Sequence, residues 1–159
     1  MSEVTIGHVI PDFRLPSDED TIVSPASLKG KTIILYFYPK DDTSGCTKQA
    51  VAFSQLHTEF EAENAIVIGV SKDKISSHKK FRAKYDLKLL LLSDFENHVA
   101  ESFGVWVEKS MYGKKYMGIE RSTFVIDTNG VIAQIWRKVK VEAHAEDVLK
   151  VVRKLAERV

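Results

Sequence analysis

Between Thr32 and Pro39 the chain reads Ile33-Ile34-Leu35-Tyr36-Phe37-Tyr38, with no polar residue among them. A run of that length, rich in β-branched and aromatic residues, predicts one central strand, which Pro39 stops. After the turn residues Asp41 to Gly45, Phe53, Leu56 and Phe60 recur at helical spacing and predict an amphipathic helix from about Gly45 to Glu63. Ala65 to Val70 reads as a second buried strand. Ser76 or Ser77 is placed to cap a helix carrying Phe81 and Tyr85. Leu89–Leu92 has the length of a short strand, and a brief helix is expected around Asn97–Phe103. Thr123–Asp127 and Val131–Trp136 flank Thr128-Asn129-Gly130, and Asn-Gly between alternating apolar runs is a strong hairpin signal. Val148, Val152 and Leu155 put an apolar stripe on a C-terminal helix.

Strands alternating with helices, then a hairpin, then a last helix, predict an α/β protein with a central mixed β-sheet flanked by helices. The strand–helix–strand unit calls for a parallel pair joined by a right-handed crossover, and a thioredoxin-like fold fits this order. No repeat, low-complexity tract or linker interrupts residues 1–159, so a single domain is expected over the whole length.

Composition narrows the function. Hydrophobic residues make up 44% and charged residues 28%, as in an ordinary soluble globular chain, and 23 basic against 22 acidic side chains leave a net charge of +1. Lys79-Lys80 and Lys114-Lys115 are too short to form the basic patch that nucleic acid requires and read as solvated surface. The start, Met1-Ser2-Glu3-Val4, lacks the basic and apolar segments of a signal peptide, and no apolar run approaches the roughly 20 residues that span a bilayer. One cysteine excludes an internal disulfide. A reducing cytoplasm is the expected location.

That cysteine, Cys46, lies where the turn after the first strand passes into a helix. The first helical turn has unpaired N–H groups and a partial positive charge, which favour an anion. A cysteine there can ionise more readily, and a thiolate attacks peroxide oxygen to give a sulfenic acid. Many free cysteines are inert packing groups. Against that reading, Asp41-Asp42-Thr43-Ser44-Gly45 makes a polar approach ill-suited to a core cysteine. Peroxide reduction also needs donors for the departing oxygen. Thr43 offers a hydroxyl, Gly45 and Cys46 offer backbone N–H groups, and an arginine would supply permanent charge.

The segment from Tyr36 to Thr47, YFYPKDDTSGCT, resembles the active-site signature of the peroxiredoxins, with Pro39, Thr43 and Cys46 matching its Pro-x-x-x-Thr-x-x-Cys core. Its wording, and that of KSMYGKKYMGIERSTFVID over Lys109–Asp127, is most similar to the bacterioferritin comigratory protein, or peroxiredoxin Q, subgroup. The resemblance extends from about Gly7 to the final helix. It implies a thioredoxin-like fold, no metal and no organic cofactor. Cys46 would be the peroxidatic nucleophile, and Thr43 would hydrogen-bond substrate and thiolate. Arg121 would stabilise the thiolate and the charge developing on peroxide, and Pro39 would shield the sulfenate. The implied activity is reduction of hydrogen peroxide and small organic hydroperoxides.

Three positions depart from that pattern. Many members carry a resolving cysteine five residues after the first, where this chain has Val51. A sulfenic acid on Cys46 must then be reduced by an outside thiol: thioredoxin, glutaredoxin or a small thiol. Gln49 replaces a usual glutamate, offering the arginine a weaker, uncharged hydrogen bond. Ser44 replaces a frequent proline. A monomer is expected, with a Cys46-linked dimer as an oxidation product.

Two other functions compete. A dithiol oxidoreductase would want cysteine at position 49, so only a monothiol version survives, and it would leave Thr43 and Arg121 without a task. A redox sensor or holdase shares the first chemical step and would pass oxidation to one partner. The remaining features read as structure. The five histidines, His8, His57, His78, His98 and His144, lack metal-ligand spacing. Trp106 and Trp136 suit core packing or an active-site wall. Met111, Tyr112 and Tyr116 fall in a Gly-containing loop, where lining the pocket mouth and ordinary packing are equally compatible. Asp41 and Asp42 read as turn residues.

Overall fold

The computed structural model describes residues 4–157. In chain order they form strands β1 (Leu15–Pro16) and β2 (Ile22–Val23), a 3₁₀ turn (Ala26–Leu28) and strand β3 (Thr32–Phe37). Helices α1 (Ser44–Gln55) and α2 (His57–Ala62) lead to β4 (Ala65–Ser71), α3 (Ile75–Tyr85), β5 (Leu90–Ser93) and α4 (Val99–Ser102). Strands β6 (Trp106–Met111), β7 (Lys114–Ile119), β8 (Ser122–Ile126) and β9 (Ile132–Trp136) precede helix α5 (His144–Ala156). The central sheet has the order β5-β4-β3-β8-β9, so β3 lies in the middle, as its unbroken apolar run requires. β3 pairs in parallel with β4 (Ile34 opposite Val67) and antiparallel with β8 (Leu35 opposite Phe124), which makes the sheet mixed.

The alternation of β3 divides the core in two. Ile33, Leu35 and Phe37 point into a cluster with Phe13, Leu28, Phe103, Phe124 and Ile126. Ile34 and Tyr36 point the other way, into a cluster that Phe53, Phe60, Phe81 and Val148 complete from α1, α2, α3 and α5. Cys46 belongs to this second, helix-covered side.

Several elements differ from the pattern-based expectation. The helix expected over Gly45–Glu63 is interrupted at Leu56 (φ −100°, ψ 11°), whose N–H turns back to the Phe53 carbonyl at 3.1 Å. Neither proline nor glycine marks this break. Phe53 and Phe60 face the same core across it, with ring centroids 6.1 Å apart, so the apolar spacing conceals it. Ser76 and Ser77 do not cap α3, which begins at Ile75 after Lys74. The Ser77 hydroxyl instead donates to Asp41 Oδ2 at 2.7 Å, a tertiary partner displacing the local one. Helix α4 is a single turn from Val99, and its first amides are held by the buried Asp94 carboxylate, which accepts from Val99 N–H at 3.1 Å and Ala100 N–H at 2.8 Å.

The Asn-Gly hairpin is present. Asp127 Oδ1 accepts from the N–H groups of Asn129 and Val131, and Gly130 takes a positive φ of 79°. A second hairpin, β6–β7, replaces the loop expected around Met111, Tyr112 and Tyr116. It turns on Tyr112 (φ 53°) and Gly113 (φ 80°), a two-residue turn with both residues left-handed. Its strands are short of buried apolar residues, and Tyr-Gly is a weaker turn signal than Asn-Gly. Trp106 and Trp136 pack partly buried against the two core clusters. Among the described residues, no helix is long and apolar enough to cross a membrane.

His144, at the start of α5, sits edge-on to Phe53 and Trp136 and faces the Thr123 hydroxyl through Nε2 at 2.8 Å. Burial lowers its pKa to about 4 from an ordinary value of 6.5, with Asp147 opposing and Arg121 reinforcing the shift. A depressed folded-state value means that unfolding takes up a proton between pH 6.5 and 4. The stabilisation from keeping this imidazole neutral is therefore complete above pH 6.5 and lost as pH falls to 4, by about 3 kcal/mol. Urea unfolding at pH 7 and pH 4.5 should show that loss in the native chain. His144→Gln, which retains a hydrogen-bonding side chain and does not titrate, should show a smaller one.

Candidate active site

Helix α1 begins at Ser44, and its N-cap residue Thr43 is extended (φ −91°, ψ 158°). Thr47 N–H reaches the Thr43 carbonyl at 2.8 Å and is the first amide bonded along the helix. Ser44, Gly45 and Cys46 thus occupy the turn whose amides have no intrahelical acceptor. The Thr43 side chain does not cap them, and its hydroxyl donates to the Lys40 carbonyl at 2.9 Å. No acidic residue lies in this first turn. No carboxylate within that turn therefore offsets the field that the helix start places on Cys46.

Arg121, immediately before β8, crosses to this helix. Its Nη2 lies 3.3 Å from Cys46 Sγ and its Nη1 donates to Gln49 Oε1 at 2.7 Å. Pairing of β3 with β8 (Phe37 opposite Ser122) carries Arg121 beside the turn that follows β3. Gln49 is one turn along α1 from Cys46, and it holds the guanidinium although it replaces the expected carboxylate. Being neutral, it leaves the arginine's charge undiminished. The cysteine is only 2% exposed, which the polar approach Asp41–Gly45 did not foreshadow. Its surroundings include the two buried polar atoms that have no partner among the described residues, the Tyr36 hydroxyl and Gln49 Nε2. Burial, followed by the charges of Cys46 and Asp41, pushes the Tyr36 phenol well above its ordinary range.

Gly45 is narrowly required. A Cβ there would come within 3.2 Å of Arg121 Nη2, while the helical backbone itself would tolerate it. Gly45→Ala should leave thermal stability unchanged or slightly raised, since alanine is the better helix former by up to about 1 kcal/mol. It should displace the guanidinium by a few tenths of an ångström and slow reaction of Cys46 with hydrogen peroxide by up to about tenfold. Stopped-flow oxidation beside a thermal melt separates the two effects.

The loop before α1 is anchored by a residue expected only to turn the chain. Asp41 is buried, and its carboxylate accepts from the Tyr38 hydroxyl at 2.5 Å and the Ser77 hydroxyl at 2.7 Å. Its Oδ2 also lies 2.7 Å from His78 Nδ1. His78 Nε2 faces the Leu92 carbonyl at 2.9 Å, so both ring nitrogens meet acceptors and the geometry favours the imidazolium. Burial alone would lower the His78 pKa, but the hydrogen bond and charge of Asp41 and the Leu92 carbonyl together raise it. Asp73 completes the group by accepting from Asp41 N–H at 2.9 Å and from the Ser71 hydroxyl at 2.5 Å. Asp41, Asp73 and His78 are of metal-ligating type and lie close together, but their donors and acceptors are engaged with one another. Aspartate in a run of turn residues is the only sequence signal here, and it does not reveal burial. Asp42 does behave as a surface turn residue (φ 58°), pairing with Lys84 at 2.7 Å and the Tyr85 hydroxyl at 2.6 Å.

The other expected residues fall as follows. Pro39 and Thr43 are exposed beside the helix start, and Val51 packs against the helix-side core. Met111 and Tyr116 are exposed on the β6–β7 hairpin, with Tyr112 99% exposed at its tip. His57 pairs with Glu61 at 2.8 Å and His98 with Glu101 at 2.7 Å.

A helix-start cysteine under a guanidinium, on a mixed sheet with helices across one face, defines a thiol peroxidase on a thioredoxin-like scaffold. Residues 6–135 match the AhpC/TSA family, and the chain belongs to it. Within that family it is a peroxiredoxin of the Bcp/PrxQ subgroup. It is 46% identical to peroxiredoxin Bcp of Bacillus subtilis over 98% of this chain and 99% of that one. Among solved structures, the Xanthomonas campestris bacterioferritin comigratory protein, described for its alkyl peroxide reduction activity, superposes with a TM-score of 0.86. It is 40% identical, covering 91% of this chain and 92% of that one. A cysteine-to-serine variant of Xylella fastidiosa PrxQ gives 0.92 at 37% identity, covering 98% and 99%.

Proposed function

We propose that this thiol peroxidase is of the one-cysteine type, in which Cys46 is oxidised by hydrogen peroxide or a small organic hydroperoxide and restored by a thiol from outside the chain. The contact between Arg121 Nη2 and Cys46 Sγ, at the unpaired first turn of α1, carries this reading. The thiolate attacks the terminal peroxide oxygen. An S–O bond forms, the O–O bond breaks, and the departing hydroxide or alkoxide takes the proton that the attacked oxygen carried, leaving as water or alcohol and Cys46 as a sulfenate. Arg121 and the free amides of Gly45 and Cys46 stabilise the charge spreading onto the oxygens. The Thr43 hydroxyl, with its proton given to the Lys40 carbonyl, accepts the hydrogen bond of the incoming peroxide O–H. Pro39 shields the product sulfenate.

With Cys46 the chain's one cysteine, the sulfenic acid has no internal thiol to meet. The protein acts as a single-domain monomer in a reducing cytoplasm, with thioredoxin, glutaredoxin or a small thiol closing the cycle. Reduced protein mixed with equimolar hydrogen peroxide should gain one oxygen at Cys46 within the mixing time of a rapid-quench experiment followed by intact mass, and added thiol should reverse it. Oxidation no faster than that of a free cysteine would overturn the reading.

A further inference from the structure

We infer that Asp73, two residues beyond β4, is a positioning residue for peroxide reduction. Through the peptide that joins Lys40 to Asp41, it fixes the Thr43 hydroxyl with its lone pairs free for the substrate. This deepens the proposed mechanism and rests on its reading of Thr43 as the acceptor for the peroxide O–H.

Two hydrogen bonds make the connection. Asp73 Oδ2 accepts from Asp41 N–H at 2.9 Å, and the Lys40 carbonyl accepts from the Thr43 hydroxyl at 2.9 Å. That N–H and that carbonyl belong to one peptide unit. The unit is planar and trans, so its two polar bonds point in opposite directions and turn only together. The Asp73 carboxylate thus sets the direction in which the Lys40 oxygen meets Thr43. It also polarises the peptide, strengthening the second bond by about 10–30%. A threonine hydroxyl has one proton and two lone pairs and rotates to suit its partners. With the proton committed to Lys40, lone pairs alone remain to receive a peroxide O–H. Once the peptide is free to tilt, the hydroxyl can present its proton to the substrate instead, and the contact is lost.

Asp73 is suited to this task by rigidity and by charge. The Ser71 hydroxyl donates to its Oδ2 at 2.5 Å, and the Ser93 hydroxyl donates to its main-chain carbonyl at 2.6 Å. The ends of β4 and β5 therefore hold it, and groups fixed to sheet strands keep their geometry better than groups on loops. None of the described ion pairs includes Asp73, and His78, in the same cluster, turns its Nδ1 to Asp41. The charge of Asp73 thus acts on the peptide N–H, where a charged acceptor bonds about twice as strongly as a neutral one. Asp41 has a separate part. Its own carboxylate is anchored by Tyr38, Ser77 and His78, so removing that of Asp73 leaves the loop in place and frees the peptide plane.

The test is a double-mutant cycle on the whole protein, reading the second-order rate of Cys46 oxidation by hydrogen peroxide. Alkylation of Cys46 by iodoacetamide is measured beside it, because the carbon attacked there carries no O–H for Thr43 to receive. Thr43→Val is expected to slow oxidation about a hundredfold and Asp73→Ala about tenfold, on the scale of a misplaced substrate contact. In the double variant, Asp73→Ala should add no further loss, since its effect passes through the Thr43 hydroxyl. Asp73→Asn, whose amide oxygen can still accept from Asp41 N–H, should recover most of the rate. Alkylation should stay within about threefold of native in both Asp73 variants, whereas general damage to the loop would slow both reactions alike. Native-rate oxidation in Asp73→Ala, an equal loss in the native and Thr43→Val backgrounds, or alkylation slowed as much as oxidation would overturn the inference. Oxidation of Thr43→Val at the native rate would instead overturn the reading of Thr43 on which it rests.

Discussion

Arg121→Leu is expected to slow oxidation of Cys46 by hydrogen peroxide about a hundred- to a thousandfold, the range found when one preorganised donor to a developing negative charge is removed. The substitution removes both the contact to Sγ at 3.3 Å and the donor to Gln49 at 2.7 Å. With Gln49 Nε2 already unpartnered, the whole buried amide of Gln49 would lose its partners, at a stability cost of about 1–3 kcal/mol. Circular dichroism at the assay temperature therefore belongs beside the kinetics, so that loss of rate is not confused with loss of fold. Arg121→Lys should recover only part of the rate, because an ammonium cannot engage Cys46 and Gln49 together as the planar guanidinium does. Cys46→Ser should show no turnover. A rate for Arg121→Leu within threefold of the native protein would mean that the helix amides alone activate the cysteine.

Asp41→Ala is expected to lower stability by about 3–5 kcal/mol, the range for breaking a buried ion pair from one side. The substitution leaves the Tyr38 and Ser77 hydroxyls and the His78 imidazole without the acceptor they share. For a chain of this size the melting temperature should fall by about 10 °C. The pH dependence changes as well. Because His78 is held above its ordinary 6.5, the stability it contributes is complete below that value and is lost as pH rises through the raised one. Native protein should therefore weaken on the alkaline side of neutrality in urea unfolding, and Asp41→Ala should lose that component. His78 and His144 thus act in opposite directions, one stabilising through its charge and the other through its neutrality. A drop below about 1 kcal/mol for Asp41→Ala would mean that water replaces the carboxylate and that the loop before α1 is held by other contacts.

The central strand, the hairpin closed by Asn129-Gly130 and the apolar stripe of α5 follow from local patterning, because a strand buried on both faces and an amphipathic helix each require a particular spacing of apolar residues. The β6–β7 hairpin was hidden for the converse reason: few of its residues are buried, so burial imposed no alternation on them. Position 46 as the candidate chemical centre was also legible, from a lone cysteine at a strand-to-helix turn and from its resemblance to a known signature. Other properties arise only when distant segments meet. Antiparallel pairing of β3 with β8 carries Arg121 over Cys46, 75 residues away in sequence. Asp41 looks like any turn aspartate until α3 supplies Ser77 and His78, and its carboxylate then becomes a buried anchor. The sequence alone determined the central strand, the Asn-Gly hairpin, the stripe of α5 and which atom is the candidate nucleophile, since these depend on neighbours along the chain. Tertiary structure decided which charges surround that atom and which polar groups are buried, because both depend on side chains that only folding brings within a few ångströms.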